Sequence, residues 1–135
     1  MSAYAERLAV RTTKKEQAVD ITDRVRAIVR KSGVVTGVCS VASQHTTAGV
    51  YVNENADPDV LTDVLAALRR AVPDDERYRH AEGNAPAHIR TVLTGMSTTI
   101  PINDGDLALG TWQGLFLAEF DGPRERSLMV TAIGD

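Results

Sequence analysis

The chain has 135 residues, 43% hydrophobic and 24% charged, with a formal charge of −3. That is the size and composition of one globular domain, and it excludes a disordered tail, a collagenous chain and a coiled coil. The acidic balance gives no electrostatic footprint for nucleic acid or an anionic membrane. No uncharged apolar run approaches the ~20 residues of a membrane span. Ala5-Glu6-Arg7-Leu8 argues against a signal peptide, and the single Cys39 rules out an internal disulfide and fits a reducing compartment. The expectation is a cytoplasmic protein with one domain over residues 1–135.

In chain order, Leu8, Val10 and Thr12 alternate with Ala9, Arg11 and Thr13, predicting a half-buried strand. Lys14-Lys15-Glu16-Gln17 is a polar turn, and Ala18-Val19 begins a short second strand. Ile21, Val25, Ile28 and Val29 share one face of an amphipathic helix. Asp20 or Thr22 can cap it, and Gly33 can end it. Residues 34–42, rich in valine and small side chains, predict a buried strand, and residues 48–53 another, with His45-Thr46-Thr47 on the connection.

Asp57-Pro58 is an N-cap with proline in the first helical position. Val60, Leu61, Val64, Leu65 and Leu68 form the stripe of a second helix that stops before Pro73. Residues 74–84 are polar and irregular. A third helix is predicted over 86–95 with Ile89, Val92 and Leu93 facing inward. Thr98, Ile100 and Ile102 then alternate towards an Asp104-Gly105 hairpin. Residues 107–120 suit one extended or bulged strand, Asp121-Gly122-Pro123 a turn, and residues 127–133 a closing strand. Helices set between runs of hairpin-joined strands predict an α+β fold, a mixed or antiparallel sheet assembly with about three helices packed on it.

Three histidines carry the chemical interest: His45, His80 and His88. Three imidazoles plus water make an open catalytic zinc site, but their spacing matches no local signature such as His-Glu-x-x-His. Scattered surface or capping histidines give the same sequence. Glu54, between Asn53 and Asn55, offers oxygen ligands of the kind Mg²⁺ uses, or a strand-end turn. Gly83-Asn84 before His88 suits an anion at a helix start, or a plain loop-to-helix junction. Arg124 and Arg126 flank Glu125 after a tight turn, as a phosphate clamp or a solvated face. Cys39 reads as a buried structural thiol. No Gly-x-Ser-x-Gly elbow, Walker loop or Gly-x-Gly-x-x-Gly occurs.

Five stretches occur in order: His45-Thr46-Thr47-Ala48; Asn53 to Pro58; Gly83-Asn84 with Ala87-His88; Leu107 to Gln113; and Asp121 to Arg126. Together they resemble the YjbQ family, small proteins described as secondary thiamine-phosphate synthases. The resemblance implies an α+β homotrimer. It also implies a transferase that joins a pyrimidine methyl diphosphate to a thiazole phosphate and releases pyrophosphate, helped by a divalent ion, zinc or magnesium. It raises His45, His80 and His88 to a shared metal or anion pocket and makes Glu54 the carboxylate for metal or proton handling. Asn53, Asn84, Thr111, Gln113 and Arg124 become candidate substrate contacts, and the partner becomes a small phosphorylated molecule. A three-histidine metal-dependent hydrolase and a non-catalytic trimeric binder of small ligands are the alternatives.

Overall fold

The structure is a computed structural model that describes all of residues 1–135. Eight strands and three helices follow in the order β1 (Ser2–Arg11), β2 (Gln17–Asp20), α1 (Thr22–Ser32), β3 (Gly37–Ser43), β4 (Ala48–Glu54), α2 (Pro58–Ala71), α3 (Ala85–Thr94), β5 (Ser97–Asn103), β6 (Asp106–Leu107), β7 (Gln113–Glu119) and β8 (Glu125–Gly134). The expected α+β class with three helices is found. Every strand pair is antiparallel, in a five-stranded sheet β1-β8-β3-β5-β6 and a three-stranded sheet β2-β7-β4.

The main core lies between the two sheets, closed by α1. Leu8, Val41, Ile100, Leu128 and Val130 of the larger sheet meet Val50, Leu115 and Leu117 of the smaller one, and α1 adds Val25, Ile28 and Val29. Cys39 is part of this core, and burial pushes its thiol up to about 11, as a structural cysteine requires. The opposite face of the three-stranded sheet carries Ala118 and, just past β7, Phe120. Ala87 of α3 packs there, together with Tyr51 of β4 and Leu65 and Leu68 of α2. Strand β7 is therefore buried on both faces, which is why residues 114–120 read as a nearly continuous apolar run.

Local signals match their elements. The Asp20 carboxylate accepts from the Thr22 N–H at 2.9 Å and hydroxyl at 2.6 Å at the start of α1, and Gly33 ends that helix in the left-handed conformation. Asp57 accepts from the Asp59 N–H at 2.9 Å ahead of Pro58. Asp104 and Gly105, with φ of 51° and 77°, make the two-residue hairpin between β5 and β6.

Two expectations fail. The single strand over 107–120 is two strands in different sheets, broken at residues 108–112, where the chain leaves β6 and crosses to the other layer. Gly110 sits in that crossing, and Gly114 marks a close approach to the Asn55 side chain. Ile89, Val92 and Leu93 do not face inward: Val92 is 78% and Leu93 60% exposed. The buried face of α3 is Ala87, Arg90 and Thr91 instead. Ala87, Thr91 and Thr94 let the helix approach β4 closely while Arg90 turns to Glu16, Val72 and Asp74, and the larger apolar residues point away.

That approach makes a sharp prediction. A Cβ on Gly49 of β4 would lie 2.5 Å from the Gly95 carbonyl oxygen at the end of α3. Gly49→Ala should therefore cost about 1–3 kcal/mol by overpacking against backbone, measured as a lower urea midpoint with an unchanged slope.

Candidate functional site

The site is built where β7 ends, β8 begins and the β3–β4 connection passes. Glu119 and Arg126 face each other there with 0% and 3% side-chain exposure. Arg126 Nε donates to Glu119 Oε1 at 2.8 Å and Nη2 donates to Oε2, a two-pronged contact that fixes the guanidinium plane. Nη2 also donates to the Thr47 hydroxyl at 2.8 Å, and the Thr12 hydroxyl donates to Glu119 Oε1 at 2.8 Å. The Asp121 N–H donates to Glu119 Oε2 at 3.0 Å. Burial pushes the Glu119 carboxyl upward, but hydrogen bonds from Arg126, Asp121 and Thr12 outweigh it and hold it below the usual carboxylate range. Nη1 of Arg126 has no acceptor in the protein, and Arg126 lines an open cavity of about 440 Å³.

Ser43 shapes the connection that carries His45. Its hydroxyl donates to the Ala48 carbonyl at 2.7 Å and accepts from the His45 N–H at 3.2 Å. The imidazole then reaches across to β8, where its Nε2 accepts from the Ser127 N–H at 2.8 Å. That bond assigns the proton of the neutral ring to Nδ1. Burial and, after it, the Arg126 charge hold the His45 pKa below the ordinary histidine value, against a smaller opposing pull from Glu119. Protonation would also put an N–H against the Ser127 N–H. The unfolded chain takes up this proton first, so His45 lowers stability as pH falls through the ordinary histidine value.

The third helix and its preceding loop complete the cavity. His88, half-buried, and His80 sit edge to face with centroids 5.1 Å apart, and His80 Nε2 lies 3.8 Å from Glu82 Oε2. Asn84 Nδ2 donates to Asp121 Oδ2 at 3.0 Å, which also accepts from Arg124 Nη2 at 3.0 Å. Behind it, Arg90 is buried and bonded to Glu16, Val72 and Asp74. Asn84 Oδ1 and Arg90 Nε, both closed off from solvent, have no protein partner, and both residues line a cavity of about 30 Å³ sized for one water.

Of the residues expected from the sequence, His45, His80, His88, Asn84 and Arg124 line the large cavity together. The other four do not. Glu54 and Asn53 stand at the far end of β4, roughly 20 Å of strand away. Glu54 Oε2 accepts from the Ala56 and Asp57 N–H groups at 2.9 and 3.2 Å, and Asn53 Oδ1 from the Glu54 N–H at 2.7 Å. These contacts lie within the turn that joins β4 to α2. Thr111 and Gln113 line a separate cavity of about 430 Å³ beside Trp112, and the Gln113 side-chain Oε1 accepts from the Gly110 N–H at 2.7 Å. Sequence reasoning missed Glu119, Asp121 and Thr47 and left Arg126 undecided.

The arrangement does not fit a three-histidine metal centre. A neutral imidazole has one lone pair, and that of His45 is occupied by the Ser127 N–H. No three His, Cys, Asp or Glu side chains converge as a metal would require. What converges is a set of hydrogen-bond donors and acceptors around a buried arginine.

A model of YjbQ-like UPF0047 proteins matches residues 6–135. The chain belongs to this family. A UPF0047 protein of Methanocaldococcus jannaschii is 47% identical over 126 residues, covering 93% of this chain and 91% of that one. YugU, a UPF0047 protein of Bacillus subtilis, is 41% identical, covering 94% and 97%. A solved YjbQ/UPF0047 structure from Clostridium acetobutylicum aligns with TM-score 0.93 at 46% identity, over 95% of this chain and 99% of that one. One from Sulfolobus solfataricus, described as of unknown function, aligns with TM-score 0.95 at 34% identity over 98% of each chain. As a UPF0047 member the chain thus shares its fold from end to end with solved relatives, and no helix is long and apolar enough to cross a membrane.

Removing one half of the buried pair strands the other half. Glu119→Ala should cost about 3–5 kcal/mol at pH 7. Because the folded carboxyl titrates below its unfolded value, that contribution is present above about pH 4.3 and fades as pH falls through the folded value. Urea titrations of both proteins at pH 7 and pH 3 should show the gap narrowing in acid; a constant gap would assign the loss to packing alone.

Proposed function

We propose that the large cavity holds the phosphate groups of a small phosphorylated molecule and supports a group transfer of the thiamine-phosphate synthase kind. The observation that carries this reading is Arg126: buried, fixed by Glu119 and Thr47, with Nη1 free at a cavity whose lining has no hydrophobic side chain. A desolvated guanidinium with an unspent N–H is an oxyanion contact already in place. His45 adds its Nδ1–H as a donor, and Arg124, pinned to Asp121, adds a second guanidinium. In the reaction, the thiazole nitrogen forms a bond to the pyrimidine methylene carbon. The C–O bond to the diphosphate breaks, and its electron pair leaves on pyrophosphate. This needs no protein nucleophile, only donors on the leaving diphosphate and a fixed approach.

Each arginine is balanced by a carboxylate, Arg126 by Glu119 and Arg124 by Asp121. Capture therefore depends on aligned donors more than on net charge. The divalent ion implied by the family resemblance enters this reading as magnesium carried on the substrate's phosphates rather than as a resident zinc.

Thiamine phosphate formation from the two substrates should fall about 10–100-fold in Arg124→Ala and His45→Ala, as expected for lost charge-assisted hydrogen bonds. Chelation of zinc should leave it unchanged, whereas Glu54→Gln, remote from the cavity, should keep full rate. Product formation unaffected in both cavity variants, or stoichiometric zinc that both the activity and His45 require, would sink the reading. Phosphate release without the thiazole acceptor would point to a hydrolase.

The homotrimer belongs to the same proposal. Its support is the outer face of α3, where Ile89, Val92 and Leu93 stand exposed, with Met96 exposed just past the helix end; the number three rests on the family resemblance. Leu93→Lys with Val92→Glu should convert the trimer to monomer in light scattering, and a wild type that is already monomeric would dismiss it.

A further inference from the structure

We propose that the natural ligand of the large cavity is a polyol phosphate, a compact hydroxyl-bearing carbon chain or ring ending in phosphate. This rests on the phosphate-binding reading above and narrows it to a substrate class. Ordinary ligand pockets are lined mainly by apolar and aromatic side chains with a few polar groups for orientation. Here the proportion is inverted: all eleven lining residues are polar or charged. A heteroaromatic ring would find no aliphatic wall to bury against, only the flat faces of imidazole and guanidinium groups already engaged in polar contacts. An apolar wall exists elsewhere, where Ala18, Leu61, Leu65 and Ala66 line a cavity of about 350 Å³ between β2 and α2. That cavity shares no residue with the site.

The unspent hydrogen-bonding groups point the same way. Donors are Arg126 Nη1, Arg124 Nη1, the Nδ1–H of His45 and the Gln44 amide, whose Oε1 already accepts from Ser127 Oγ at 2.8 Å. Acceptors are Asp121 Oδ1, since Oδ2 takes both bonds from Asn84 and Arg124, and the Glu82 carboxylate. The Thr46 hydroxyl, exposed on the rim, does both. A phosphate dianion uses the donors and leaves the acceptors idle. Hydroxyl groups donate and accept, so a chain of them beside the phosphate uses both halves of the set. The 440 Å³ of the cavity leaves room for several carbons beyond one phosphate. Thiamine-phosphate synthesis would then be a side activity in which the phosphates are held and the rings are not.

Calorimetric titration of the full chain with inorganic phosphate, ribose 5-phosphate and phenyl phosphate tests this. Ribose 5-phosphate should bind at least about tenfold tighter than inorganic phosphate, the worth of one charge-assisted hydrogen bond. Phenyl phosphate should gain no more than about threefold. Thr46→Val, a change on the exposed rim that leaves the fold alone, should reduce the ribose 5-phosphate advantage without altering inorganic phosphate binding. Arg124→Ala should weaken all three. Equal binding of the three, or tighter binding of phenyl phosphate, overturns the polyol class and leaves phosphate recognition standing. Binding of none of them overturns phosphate recognition and the polyol class together.

Discussion

The contact on which this molecule is organised is the buried ion pair between Glu119 and Arg126. The two residues end and begin strands of different sheets, so their two-pronged contact ties the three-stranded layer to the five-stranded one. A carboxylate this deep is tolerated only because every direction around it supplies a donor: the guanidinium, the Thr12 hydroxyl and the Asp121 N–H. The same donors set the turn between β7 and β8, and with it Asp121 and Arg124. Structural need and cavity chemistry therefore meet in one side chain, since Arg126 spends two nitrogens on the fold and keeps the third for the cavity.

The second organising constraint is the thinness of α3. Alanine and threonine on its inner face bring it against β4, near enough that Gly49 has no space for a methyl group. That closeness carries His88 and Asn84 to the ends of β7 and the β3–β4 connection. It also explains why the bulky apolar residues of this helix lie outside: the inner space is already filled by Phe120, Tyr51 and Ala118.

Much of the fold was legible because its signals are local. The Asp57-Pro58 start of α2, Gly33 at the end of α1 and the Asp104-Gly105 hairpin each act within a few residues. What was not legible depends on distant partners. The periodicity of Ile89, Val92 and Leu93 marks an apolar face correctly, but not whether this chain's own core receives it. Leu107 to Phe120 looked continuous because both ends are apolar, and no local signal distinguishes the sheets they join. In the site, the histidines stood out as metal-ligand side chains, and all three do line one cavity. Glu119 was missed although a lone carboxylate in the run Leu115 to Phe120 is itself a signal: an acid between apolar neighbours on a strand buried on both faces must have a partner. Glu54, Asn53, Thr111 and Gln113 fall outside this cavity, because neither ligand chemistry nor motif resemblance tells which end of a strand a residue occupies.

The bond that sets the state of His45 comes from the main chain. Where a neighbouring side chain fixes a histidine's tautomer, a substitution at that neighbour releases it. The donor at position 127 is a peptide N–H on β8, so any residue except proline supplies it. The neutral tautomer is thereby insulated from sequence drift at the position that controls it, short of proline there or a shift in strand pairing.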